Sequence, residues 1–171
     1  IGPIAHAHEE ALGSPLANPL GPDEWLKRLG QLPLSFQPGE RFHYSHATDV
    51  LGFLVARIEG KTLGEVLKAR VFDPLGMVDT GFWTPPEKRD RLARLYRINP
   101  TTDQLEDVSF PHTATPPAFE GGGGGLISTA DDYLKFARMM MGRGEVDGVR
   151  LVRPETIDLM TANRLTDAQR E

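Results

Sequence analysis

The chain has 171 residues, with 19 Lys and Arg against 24 Asp and Glu for a formal charge of −5, and it is 39% hydrophobic and 25% charged. That is the composition of a globular domain, and mild acidity without a Lys/Arg run argues against a nucleic-acid partner. Zero cysteines exclude a disulfide scaffold, a thiolate zinc site and a cysteine nucleophile, and no apolar stretch approaches the ~20 residues of a membrane-spanning segment.

Eighteen glycines and fourteen prolines exceed average usage and predict many turns between short elements. Pro3, Gly13, Pro15, Pro19 and Gly21 punctuate the first twenty residues, which read as a surface loop around a short Ala/His/Glu turn. A helix is predicted from Pro22 to about Leu32, with Trp25, Leu26 and Leu29 at helical spacing and Pro at a position that forfeits no intrahelical donor. Gln37-Pro38-Gly39-Glu40 is a turn sequence, and Phe42 to Tyr44 reads as a short extended run. From Ser45, a reasonable N-cap, Ala47, Val50, Leu51, Leu54, Val55 and Ile58 mark one face of a helix ending at Gly60. Thr62-Leu63-Gly64-Glu65 matches a capping box, with Val66, Leu67, Val71 and Phe72 as the buried side of its helix, and Pro74-Leu75-Gly76-Met77 stops it.

Beyond residue 80 the pattern changes. Leu92, Leu95 and Tyr96 with Leu105 and Val108 flank Asn99-Pro100-Thr101-Thr102-Asp103 and predict two short strands joined by a turn. Five glycines, Gly121 to Gly125, lead to Thr129 and Asp132, a helix start. Tyr133, Phe136, Ala137, Met140 and Met141 give that helix an apolar side, and Gly142 to Gly144 close it. Asp147-Gly148 is a tight turn, Arg150 to Val152 a strand, and Pro154 opens a last helix containing Ile157 and Met160.

Five histidines, His6, His8, His43, His46 and His112, show no metal-ligand spacing, so no metal site is expected. The glycine run is not followed by the Lys-Ser/Thr that a phosphate loop needs, because Ser128-Thr129 stands there without Lys. The chain starts Ile1-Gly2-Pro3 without Met or a leader-like segment and stops on a polar run, so it is expected to be a piece of a longer protein.

The most informative stretch is Phe36-Gln37-Pro38-Gly39-Glu40-Arg41-Phe42-His43-Tyr44-Ser45-His46, followed by the apolar helix. It resembles the segment around the second conserved motif of serine β-lactamase-like hydrolases, which include class C β-lactamases, D-Ala-D-Ala peptidases and family VIII carboxylesterases. Phe72-Asp73-Pro74-Leu75-Gly76-Met77-Val78-Asp79-Thr80 is similar to that family's Pro-Leu-Gly-Met-x-Asp-Thr segment. Gly124-Gly125-Leu126-Ile127-Ser128-Thr129-Ala130-Asp131-Asp132 resembles its Gly-Gly-Leu-x-Ser-Thr-x-x-Asp block. Three blocks in the right order are far more specific than any one alone.

The resemblance implies an α+β, β-lactamase/transpeptidase-like fold, of which this chain is predominantly the helical region with short strands. In the family, the Ser of Ser-x-x-Lys attacks an ester or amide carbonyl while the Lys and the second-motif Tyr assist proton transfer, since a hydroxyl is a weak nucleophile at its free pKa. Tyr44 holds that tyrosine's position and is the catalytic candidate. His46 stands where β-lactamases and peptidases keep Asn and esterases vary, which favours an ester substrate. Phe119, Glu120 and Gly121, in the loop that borders the acyl pocket in related enzymes, are candidate substrate-binding residues. No cofactor is implied.

The serines, Ser14, Ser35, Ser45, Ser109 and Ser128, are followed three positions on by Ala17, Pro38, Thr48, His112 and Asp131, so Ser-x-x-Lys is absent. Lys61-Thr62 is followed by Leu63 in place of the third motif's Gly. Residues 1–171 are therefore expected to be the central part of one catalytic domain, inactive alone, with the nucleophile motif before residue 1 and the third motif after residue 171. The first reading is a carboxylesterase working through an acyl-enzyme on a small-molecule ester. The alternatives are a β-lactamase or D-Ala-D-Ala carboxypeptidase, and a non-catalytic module on the same scaffold. Compartment and oligomeric state stay open.

Overall fold

A computed structural model describes residues 3–13, 18–44, 46–109 and 114–169. Where the sequence predicted a surface loop, the chain opens with a helix, α1 (Pro3–Leu12). Its run of Ala, Glu and Leu is strongly helix-forming, and the punctuating residues lie at or beyond its ends, with Gly13 turning the chain at φ 69°. Leu12 is buried against Trp25 of α2 (Pro22–Leu29), and Asn18 Nδ2 donates to the Leu12 carbonyl.

Glu40 N donates to the Gln37 carbonyl at 3.1 Å with Gly39 at φ 85°, the geometry that a Pro-Gly pair favours. Helix α3 (Ala47–Glu59) follows and ends in left-handed Gly60. Its N-cap position is His46, which makes no side-chain cap bond, and Ser45 lies outside the described residues. In α3 the buried residues are Asp49, Gly52 and Phe53, while Leu51, Leu54 and Ile58 of the apolar face are 52 to 73% exposed.

The capping box forms as predicted: Glu65 N donates to Thr62 Oγ1 at 3.2 Å, and Thr62 N to Glu65 Oε2 at 2.9 Å. Helix α4 (Leu63–Leu67) widens into a π-helical turn (Lys68–Phe72) and ends in α5 (Asp73–Leu75), stopped by Gly76 at φ 64°. The wide turn lies just before Pro74, whose ring disrupts ordinary helical bonding to the preceding turn. Strands β1 (Tyr96–Ile98) and β2 (Leu105–Asp107) pair antiparallel around the Asn99 turn, where Asn99 Oδ1 accepts from Thr101 N at 2.8 Å and Asp103 takes φ 55°.

Thr129 caps α6 (Ala130–Met141) by accepting from Asp132 N at 3.2 Å. On α6, Asp132 and Met139 are buried and Phe136 and Met140 partly so, whereas Tyr133 and Met141 face outward. Strands β3 (Glu145–Val146) and β4 (Val149–Arg150) close a hairpin over Asp147 and Gly148, both at positive φ, so pairing starts one residue earlier than the predicted Arg150. Helix α7 (Pro154–Thr161) buries Ile157 and leaves Met160 exposed.

Two apolar clusters hold these elements. Leu12, Trp25, Phe53 and Phe119 form one, and Phe72, Leu75, Met77 and Met139 the other. No helix among the described residues is long and apolar enough to cross a membrane.

Candidate active site

The second-motif segment lies at the start of α3. Tyr44 is 86% exposed, so its phenol is not committed to packing. His46 is held from several sides: its ring meets the edge of Trp25 at 5.3 Å between centroids, stacks on His8 at 6.1 Å, and turns Nδ1 toward Asp49 Oδ2 at 3.7 Å. His8 is itself fixed, donating from Nε2 to the Pro33 carbonyl at 3.1 Å.

The loop carrying Phe119, Glu120 and Gly121 sends its two side chains in different directions. Phe119 was expected to line a pocket, yet it is 4% exposed and packs edge-on against Phe53 and Trp25, with centroids 5.0 and 5.4 Å away. Packed there with two other aromatic rings, Phe119 supports the loop from the core. Glu120 points the other way and accepts from Gly64 N, in the first turn of α4, at 2.7 Å. It borders a cavity of about 680 Å³ whose wall includes Phe82, Trp83, Leu92 and Ser128.

Gly121 to Gly123 lie flat against α3. A Cβ at Gly121 would stand 2.6 Å from Asp49 Oδ1, and one at Gly122 2.1 Å from the Thr48 carbonyl oxygen; Gly122 N in turn lies 2.9 Å from where a Cβ on Gly52 would be. Gly123 N donates to Asp49 Oδ1 at 2.9 Å. The first part of the glycine run, Gly121 to Gly123, is thus a close backbone approach to α3. Asp49 brings His46 and Gly121 into one neighbourhood, with Phe119 behind them. The sequence reading passed over Asp49 and Gly52. The signal was Gly52, a helix-disfavouring residue inside an apolar helix and costly there without a tertiary partner, whereas Asp49 in the first turn stands where a carboxylate is favoured anyway.

The other two motif blocks form a clasp beneath the cavity. Asp132 is 2% exposed and its Oδ2 accepts from Asp79 N at 2.7 Å and from Thr80 Oγ1 at 3.0 Å, while Lys135 Nζ lies 2.8 Å from Oδ1. Burial pushes the Asp132 carboxyl up, but Lys135, the Asp79 N–H and the Thr80 hydroxyl outweigh it and hold the group below its ordinary range. Thr80 and Ser128 hydroxyls meet at 2.8 Å, and Gly81 and Ile127 exchange backbone bonds. Arg91 and Lys88 grip the Asp79 carboxylate and hold its pKa far below the usual carboxylate range. Among the described residues no cluster of three or more His, Asp or Glu is placed to hold a metal ion.

The helical region with its short two-stranded pairs is an α+β arrangement of the β-lactamase/transpeptidase type. EstCE1, a hydrolase with promiscuous acyltransferase activity, superposes with a TM-score of 0.66 at 25% identity, over 90% of this chain and 49% of that one. The chain belongs to the β-lactamase family, whose model matches residues 5–171. Protein Rv1367c of Mycobacterium tuberculosis is 48% identical over 169 residues, which are 99% of this chain and 41% of that protein. The lovastatin esterase of Penicillium rubens is 34% identical over 144 residues, 82% of this chain and 35% of its own length. The chain therefore spans about two fifths or less of these relatives.

Proposed function

We propose that this chain is the central part of a serine carboxylesterase of the β-lactamase family, which cleaves small-molecule esters through an acyl-enzyme. Tyr44 assists proton transfer and the segment of His46 and the Glu120–Gly121 loop contacts substrate. The Ser-x-x-Lys nucleophile and the third motif come from residues before Ile1 and after Glu171. The observation that carries the reading is the exposed Tyr44 phenol, two residues before the His46 N-cap of a helix whose first turn is locked to the glycine loop. An exposed hydroxyl beside a helix start is open to a reacting group brought by the rest of the protein. The esterase among the relatives supports an ester substrate, as does His46 in place of Asn. The outward apolar side of α3, with Leu51, Leu54 and Ile58 exposed, supports further chain packing on this piece.

The test is the full-length protein assayed with short-chain nitrophenyl esters and with a chromogenic cephalosporin. Ester turnover with an acyl-enzyme burst supports the reading, and cephalosporin turnover without ester turnover replaces it with a β-lactamase. A full-length sequence without an upstream Ser-x-x-Lys removes the family nucleophile and with it the enzyme.

A further inference from the structure

We infer that Asp49 is a positioning residue for this acyl transfer, one buried carboxylate that ties the Glu120–Gly125 loop to the helix start at His46, two residues after Tyr44. The inference rests on the esterase reading for its catalytic meaning and on geometry for its existence. The two oxygens of Asp49 are divided between the two segments: Oδ1 accepts the Gly123 N–H at 2.9 Å, and Oδ2 faces His46 Nδ1 at 3.7 Å. The Asp49 side chain is only 7% exposed, so neither contact competes with bulk water. Placement in the first turn of α3 lets the unpaired N–H groups of the helix start favour the negative charge there.

The sequence around this contact is fitted to it. Gly52 lies three residues on, on the same face, and leaves room for the Gly122 backbone; Gly121 and Gly122 leave room for Asp49 and the Thr48 carbonyl. A loop without side chains has many conformations available, and ordering it needs a specific anchor. Among the described residues the Gly123 N–H bond to Asp49 is a direct hydrogen bond from this run to a side chain of α3. Losing it would free the loop next to the substrate while leaving Tyr44 in place. The cost therefore falls on substrate positioning more than on proton transfer.

The test compares Asp49→Ala and Asp49→Asn in the full-length protein, with Tyr44→Phe alongside. Asp49→Ala should speed hydrogen exchange of the backbone amides in 120–125 and raise KM for nitrophenyl esters about tenfold or more, with a smaller change in kcat. Asp49→Asn keeps an oxygen that can accept from Gly123, and should restore the exchange protection and most of KM. Should Asp49→Ala not fold, Asp49→Ser, whose hydroxyl is too short to reach the loop, replaces it with the same expectations. Wild-type exchange or wild-type KM in folded Asp49→Ala or Asp49→Ser overturns the inference, and so does an Asp49→Asn protein no better than these. Tyr44→Phe separates the two claims. If it leaves ester turnover intact, Tyr44 loses its role while the KM test of the anchor still stands; if the wild type has no ester turnover, the esterase reading fails, and the anchor is then decided on hydrogen exchange alone.

Discussion

Asp132 and Asp79, 53 residues apart, are joined by a hydrogen bond from the Asp79 N–H to the buried Asp132 carboxylate at 2.7 Å. The same carboxylate takes the Thr80 hydroxyl, so the Asp-Thr block and the Ser-Thr-x-x-Asp block are halves of one clasp. Removing it by Asp132→Ala leaves the Asp79 N–H and the Thr80 hydroxyl without this acceptor, while the partly exposed Lys135 ammonium keeps the Gly76 carbonyl. Leaving a buried donor unsatisfied costs about 1 to 3 kcal/mol. Urea unfolding of the chain should show a loss of that order, and a loss below ~1 kcal/mol would mean that the clasp is not holding the fold.

Acid should weaken the same clasp. Asp132 and Asp79 both hold their protons less tightly in the folded chain than the ordinary value of 3.8. As pH falls, the unfolded state therefore binds protons first, so the stabilisation is complete above that value and is lost progressively below it. Urea midpoints between about pH 6 and pH 3 should fall more steeply for the wild type than for Asp132→Asn, which has no proton to gain at that position. Parallel slopes would rule Asp132 out as a contributor.

Thr62 and Thr129 each accept a backbone N–H at 3.2 Å at the start of a helix. Thr62→Ala and Thr129→Ala should each cost ~1 kcal/mol, with Thr62→Val as a check that the loss tracks the hydroxyl and not the methyl. Thermal and urea melts that coincide with wild type for both would contradict the capping assignment.

The glycine run should be intolerant at one position and tolerant two residues later. A Cβ at Gly122 meets a backbone oxygen at 2.1 Å, which can be relieved only by moving the loop off α3, whereas one at Gly124 has nothing within 4 Å. Gly122→Ala should cost ~1 to 3 kcal/mol and Gly124→Ala about zero. Equal stabilities would show that the close approach is not maintained in solution.

Tyr44→Phe should leave stability unchanged, because the ring is exposed and its packing is kept. In the full-length enzyme it should lower kcat by ~10² to 10⁴, roughly 3 to 5 kcal/mol of barrier, with a smaller effect on KM. Retention of more than about a third of kcat/KM, under ~1 kcal/mol of lost transition-state stabilisation, removes Tyr44 from the chemistry.

The features that local physics controls were legible in the sequence alone. The Thr62 capping box, the Thr129 cap, the Pro38-Gly39 turn, the Asn99 turn and the Asp147-Gly148 hairpin each depend on a few adjacent residues, and each forms. The three motif blocks were enough to point to the family. What adjacent residues cannot specify is which surface a helix buries. Helical periodicity marked Leu51, Leu54 and Ile58 as one face of α3, but the buried side is Asp49, Gly52 and Phe53, because that is where a glycine backbone and an aromatic cluster arrive from about seventy residues away. Phe119 went to the core and Glu120 to the cavity for the same reason: only the tertiary partners on each side of an irregular loop define what its side chains meet.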